Sequence, residues 1–354
     1  MVYLLKTYIL YYLEVIFKYR MKPRLIQLPI TSKCNSRCLT CNVWKQNIHR
    51  DINPEELKDI FSSSFFSKVR GVGINGGEPT IHPNFKDVVG AVLSLPKLKN
   101  IFVISNCINN DLLLSCLQQV YPMCKKRGVK LYLQISIDGI GDVHNNVRGI
   151  KVSFDRSLQL LKELLINKSK YLDGFDIGCT ISRYNVDFLP QIEDYFSQYD
   201  VPIYYHLAVP NKRIHNFDDK SFSVLYDKHA LQMAKEFFHM KSVMSKSYLD
   251  KIRNCLIFLF LSGYTHKRLF ICNYLYQDVT INENLETFLC ATASEKVGDL
   301  KEDIPSNSLF NSIAKNTKNH CDSCIHYANI PNIRGLFYYS MYRIKTAKWY
   351  LKYK

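Results

Sequence analysis

With 354 residues, 47% hydrophobic and 22% charged, the chain has the balance of a soluble globular protein, long enough for one large core and a smaller satellite domain. Its twelve cysteines, with no secretory signal visible before them, favour a cytoplasmic protein whose thiols bind metal or stay free over a disulfide framework. A formal charge of +16 does not by itself separate a lipid-facing, a nucleic-acid-facing and a merely solvated surface.

Residues 1–23 read as an amphipathic extension. Lys6, Glu14 and Lys18 break its apolar run, so it falls short of the ~20 uncharged residues of a spanning helix. Glu14 and Lys18 are spaced to pair at i,i+4. From residue 24 to about 210, apolar runs at 24–30, 69–75, 100–105, 130–138, 175–182 and 202–208 predict strands. Amphipathic stretches at 53–65, 84–95, 154–165 and 187–198 predict helices between them, the first with Asn53 as N-cap and Pro54 at its first position. Six such repeats predict an α/β fold, a partial (β/α)6 TIM-like barrel with its chemistry at the C-terminal strand ends.

Residues 211–265 read as a helical connection. Residues 266–330 carry a β-hairpin around Asn282–Asn284 and a helix at 308–316, and predict a small C-terminal α+β domain. Residues 331–354 are a basic, aromatic tail, with six Lys or Arg and no acidic residue from Ile325 onward. The two ends either pack on the core or hold the protein weakly on a membrane surface.

Chemistry concentrates in the loop after the first strand, "CNSRCLTC". Cys34, Cys38 and Cys41 cannot share one helical face, so the loop must wrap around what it binds. A structural zinc site takes four ligands, and three thiolates suit a site that keeps one position open. Zinc with a remote ligand such as His49, or free thiols, are the alternatives.

This loop resembles the radical S-adenosylmethionine (SAM) superfamily, and further blocks follow in order. "NGGEP" (75–79) is similar to that family's Gly-Gly-Glu motif, "ISNC" (104–107) ends the third strand, "SIDGIGDVHNNVRG" (136–149) follows the fourth, and "TISRYN" (180–185) the fifth. The resemblance implies a 4Fe–4S cluster on Cys34, Cys38 and Cys41 whose open iron takes SAM. It implies SAM contacts from Gly76, Gly77, Glu78 and Asn106, from Ser136 to the ribose or carboxylate, and from Arg148 to the carboxylate. Reductive cleavage of SAM to a 5′-deoxyadenosyl radical is the activity it implies. Two positions depart from the pattern. Thr40 stands where an aromatic residue is common, Trp44 being either a core residue or its substitute. Cys107 stands where glycine is common, as a passive small residue or a thiol reaching the active site.

Cys272, Cys290, Cys321 and Cys324 resemble the Twitch domain, a shortened SPASM domain, and imply a second, auxiliary 4Fe–4S cluster; four-cysteine zinc is the alternative. Four thiolates would leave that cluster no open position, which favours accepting an electron over binding substrate. Cys116, Cys124, Cys179 and Cys255 fall in apolar contexts and read as buried bystanders. The resulting expectation is hydrogen abstraction from a peptide or other small-molecule, carbohydrate-type substrate. Asp138, Arg183 and His206 are the candidate substrate-facing residues, and a low-potential donor such as ferredoxin or flavodoxin is the expected partner. An iron–sulfur electron carrier and a nucleic-acid-modifying enzyme are the alternatives. A carrier needs no SAM pocket, and no RNA-binding module is recognisable, so nucleic acid is not expected as a partner.

Overall fold

Six of the apolar runs become parallel strands, because alternate residues of each face opposite ways and only one set is apolar. They are β1 (Leu25–Pro29), β2 (Gly71–Asn75), β3 (Asn100–Ser105), β4 (Lys130–Ser136), β5 (Gly174–Ile181) and β6 (Ile203–Leu207). Ile26 pairs with Val72, Val72 with Ile101 and Ile101 with Leu131, which places one fully buried row across four strands. The alternate positions Gln27, Gln134, Gly178, Thr180 and His206 line the concave side. The computed structural model describes Tyr8, Ile9, Tyr12, Arg20, residues 22–326 and 330–352, with backbone only for 346–352.

Helices cover the convex side: α1 (Pro54–Phe61), α2 (Phe85–Leu93), α3 (Asn110–Arg127), α4 (Asp142–Arg148), α5 (Ser153–Asn167) and α6 (Leu189–Ser197). The Asn53 side chain accepts from the backbone of Glu55 and Glu56, the predicted N-cap of α1. Helix α3 fills the third strand-then-helix repeat and contains Pro122; Asn109 caps its start and Gly128, at φ 70°, ends it. The predicted helical connection is α7 (Lys228–Met244) and α8 (Tyr248–Leu261).

The C-terminal region does not build a sheet of its own. After α9 (Asn273–Tyr276), strand β7 (Val279–Ile281) runs parallel to β1, with Val279 beside Ile26. The predicted hairpin to β8 (Glu286–Phe288) and a further strand β9 (Lys296–Asp299) complete one open nine-stranded sheet, β6-β5-β4-β3-β2-β1-β7-β8-β9. Helix α10 (Asn307–Ser323) is longer than expected and carries Cys321 on its last turn, with Cys324 at its C-cap.

Both ends are tied to this frame. The Arg20 guanidinium donates to the carbonyls of Leu275, Gln277 and Asp278 and lies 4.3 Å from the Phe310 ring centroid. The expected Glu14–Lys18 pair lies outside the described residues. Helix α11 (Ile333–Lys352) sets Tyr339 against Tyr248 and Tyr342 against Phe258, while Ile333, Phe337 and Ile344 remain exposed. Among the described residues no helix is long and apolar enough to cross a membrane.

Candidate active site

The cysteine loop is clamped between two neighbours. On one side the Gly77 backbone N–H donates to Thr31 O (2.7 Å) and that of Glu78 to Lys33 O (2.8 Å). A Cβ on Gly77 would lie 1.9 Å from Lys33 O, so the close approach of the turn after β2 admits no side chain there. On the other side the Arg37 and Leu39 N–H groups donate to the carbonyls of Arg148 and Val147, both 2.9 Å. The loop is thereby shaped at its backbone before any ligand is considered.

Cys34, Cys38 and Cys41 line one cavity of about 580 Å³ with Gly76, Gly77, Asn106, Ser136, Asp138, Arg148 and His206. Donors converge on the sulfurs. The Ser36 N–H lies 3.4 Å and Asn106 Nδ2 3.8 Å from Cys34 Sγ, and Arg148 Nη1 lies 3.8 Å from Cys38 Sγ. Burial pushes the Cys34 thiol up to about 12, with Cys38, Glu78 and Cys41 adding to it. The Cys34 thiol is therefore hard to ionise without nearby positive charge such as a metal supplies, and the donors around Cys34 and Cys38 suit thiolate ligands. Three thiols with such donors, opening on a cavity, fit a cluster that keeps one position for a further ligand.

Glu78 is buried and is not among the cavity-lining residues. Its Oε1 accepts from Thr80 Oγ1 (2.7 Å) and Ser105 Oγ (2.9 Å), and its Oε2 from the Asn106 N–H (2.8 Å). This carboxylate joins the turn after β2 to the end of β3. Asn106, held by that bond, turns its amide toward Asn35 and Cys34. Cys107 follows at φ 59°, which explains why glycine suits that position, and its thiol is buried against Ser105 O. Thr40 and Trp44 both line the cavity, and Trp44 Nε1 donates to Cys38 O at 3.3 Å.

Arg148 closes α4, where Gly149 at φ 66° forms the C-cap. Its Nη2 lies 2.7 Å from Asp138 Oδ2, Asp138 being buried and Arg148 partly so, and among the described residues its buried Nε has no partner. Asp138 Oδ1 accepts from the Thr180 N–H (2.8 Å), and Thr180 Oγ1 is 3.0 Å from His206 Nε2. His206 is exposed to the cavity, and desolvation by the surrounding walls lowers its pKa. Asp138 and His206 thus share the cavity. Arg183 does not: it is exposed, its N–H bonds Phe222 O, and its guanidinium lies over Tyr184. His49, the remote zinc ligand considered, is engaged with Ser32 O at 3.0 Å.

The second cysteine set gathers where β7–β8, α9 and α10 meet. Burial raises Cys321, and the thiols of Cys272, Cys290 and Cys324 raise it further, so all four lie within electrostatic reach of one another. Arg268 stands beside them, donating to Phe270 O and Cys324 O. Four thiols facing a cation fit a fully liganded cluster. Neither cysteine set is drawn together to single-ion spacing: among the described residues no three His, Cys, Asp or Glu side chains are so placed. Ala291, Ile325 and His326, neighbours of Cys290 and Cys324, line the far side of the same cavity.

Residues 211–216 join the two halves and carried no signal in the sequence. The Asn42 N–H donates to Ile214 O (2.9 Å) and Asn216 Nδ2 to Thr40 O, while the Lys212 and Arg213 N–H groups donate to Thr292 O (2.8 Å) and Ala291 O (3.1 Å). Tyr204, Arg213 and Arg253 on the cavity wall were likewise not anticipated.

Comparison with known proteins agrees with this arrangement. Residues 28–178 match the family model described as Radical SAM superfamily. The Fe-coproporphyrin III synthase of Methanosarcina barkeri is 26% identical over 187 residues, 51% of this chain and 43% of that protein. The sporulation killing factor maturation protein SkfB of Bacillus subtilis is 30% identical over 143 residues, 39% of this chain and 32% of that protein. The chain therefore spans about half or less of these relatives. Native anSMEcpe with bound AdoMet and Cp18Cys peptide has the same fold, at TM-score 0.60 and 17% identity, over 92% of this chain and 99% of that one. The clamped three-cysteine loop and the Gly-Gly-Glu turn both lie within the matched residues, and residues 28–178 are a domain of the Radical SAM superfamily.

Proposed function

We propose that the protein cleaves SAM reductively and uses the resulting radical to take hydrogen from a peptide substrate. The observation that carries this reading is the single cavity on which Cys34, Cys38, Cys41, Asn106, Ser136 and Arg148 all open. In the family a 4Fe–4S cluster and SAM, when bound, supply the electron and the carbon radical needed to break an unactivated C–H bond. Cys34, Cys38 and Cys41 would hold the cluster. Gly76, Gly77, Asn106, Ser136 and Arg148 would hold SAM, with Asp138 fixing Arg148 and the end of β5.

A peptide is favoured over a carbohydrate-type substrate because SkfB is named as a maturation protein and anSMEcpe was solved with a bound peptide. Cys272, Cys290, Cys321 and Cys324 would hold an auxiliary 4Fe–4S cluster with no open position, suited to accepting an electron as the substrate is oxidised. A low-potential donor of the ferredoxin or flavodoxin kind would serve the core cluster. The test is anaerobic reconstitution with SAM and pooled deuterated peptides. Deuterium in 5′-deoxyadenosine is expected, and its absence with every peptide while a deuterated sugar alcohol transfers label would replace the peptide reading.

A further inference from the structure

The charge on the cavity wall is unbalanced. Among the described residues lining it, the cations are Arg148, Arg213 and Arg253, and the carboxylate is Asp138, which is taken by Arg148 at 2.7 Å. Arg253 leans toward Asp250 outside the cavity at 3.5 Å. Among the described residues Arg213 has no ion-pair partner, and its Nε is buried with no hydrogen-bond partner. Glu283 feels its charge from a distance without forming a salt bridge. The Arg213 backbone is nevertheless fixed, its N–H bonded to Ala291 O beside Cys290 and to Asn211 Oδ1 (2.9 Å), in the loop whose Ile214 carbonyl holds Asn42 beside Cys41. Arg213 is thus an arginine with its backbone fixed between the two cysteine sets, a buried donor unspent, and the Cys41 thiol and Glu283 acting on it only through their charge.

We propose that Arg213 anchors a carboxylate carried by the substrate, so that the enzyme selects acidic peptides, presenting Asp, Glu or a free C-terminus, and holds them between the two cysteine sets. A carboxylate matches the planar fork of guanidinium donors, and such a pair gains strength in a cavity shielded from water. Arg148 serves this role poorly because its Nη2 is already committed to Asp138. The proposal rests on the reading of the cavity as the chamber of a SAM-cleaving, peptide-modifying enzyme.

The test uses the full chain, reconstituted anaerobically and saturated with SAM. It is equilibrated with a pooled hexapeptide library in which every Asp or Glu member has its Asn or Gln counterpart. Peptides retained on ultrafiltration are counted by mass spectrometry. Wild type is expected to retain acidic members about 10-fold over their amides, the value of one charge-assisted hydrogen-bonded contact. Arg213→Gln should erase that preference and Arg213→Lys keep part of it, with iron content and SAM affinity unchanged in both. Equal retention of acid and amide by wild type, or a preference that survives in Arg213→Gln, overturns the proposal. So does a loss of SAM affinity in Arg213→Gln with the peptide preference intact, which would assign the residue to the carboxylate of SAM. Failure of wild type to form 5′-deoxyadenosine would instead remove the reading on which the proposal rests.

Discussion

Arg148 and the buried Asp138 form an ion pair, 2.7 Å between Nη2 and Oδ2, that joins the end of α4 to the segment after β4. The same arginine reaches toward Cys38 Sγ, and the same aspartate holds the Thr180 N–H. Breaking such a pair leaves one charge uncompensated. Asp138→Ala is therefore expected to destabilise the protein by about 3–5 kcal/mol, read from urea midpoints. Asp138→Asn keeps a single acceptor oxygen, enough for the Thr180 N–H or for Arg148 but not both. It should lose less stability than Asp138→Ala while still weakening SAM binding through a misplaced Arg148. SAM affinity equal to wild type in Asp138→Asn would show that the pair has no part in holding SAM.

The clamp on the cysteine loop is testable through Gly77. With Lys33 O only 1.9 Å from the site of a new Cβ, Gly77→Ala must displace the loop. The expected outcome is loss of the core-cluster iron with the C-terminal thiols unaffected. Gly128→Ala is the control: it meets open space but keeps φ 70°, and should cost about 1–2 kcal/mol with no change in iron. Full iron retention in Gly77→Ala would refute the clamp.

Metal content separates two clusters from one. Anaerobically purified protein should hold about eight irons per chain, and joint replacement of Cys34, Cys38 and Cys41 by Ala should leave about half. Stoichiometric zinc in that variant would assign the C-terminal set to zinc.

Stability should fall in acid partly through His144. Burial, and next the Arg148 charge, hold its pKa well below the ordinary value, so the folded imidazole stays neutral. The unfolded chain takes up the proton below about pH 6.5, so this contribution is complete above that pH. It is lost at about 1.4 kcal/mol per pH unit as the pH falls further, until the folded pKa is reached. His144→Asn should give a shallower loss of stability between about pH 6.5 and about pH 5; an unchanged slope would place the acid sensitivity elsewhere.

The inner strands were legible because Ile26, Leu28, Ile177, Cys179 and Ile181 alternate with small or polar residues, and a period of two survives in any sheet. The pairing of Val279 with Ile26 was not, since it joins residues far apart in sequence and leaves no local pattern. Arg183 was misplaced for a related reason. Strand β5 stops at Ile181, the chain turns on the Asn185 side chain bonded to the Ser182 N–H, and the inward–outward alternation ends before residue 183. Arg213 lay in a loop without periodicity and became visible only through what its backbone holds.

The reductive cleavage of SAM is the most direct test. Wild-type protein with its iron–sulfur content restored anaerobically, given a low-potential reductant and SAM, should form 5′-deoxyadenosine and methionine. The variant with Cys34, Cys38 and Cys41 changed to Ala should form neither. Absence of 5′-deoxyadenosine from the iron-loaded wild type, or its formation by the triple variant, would contradict the account.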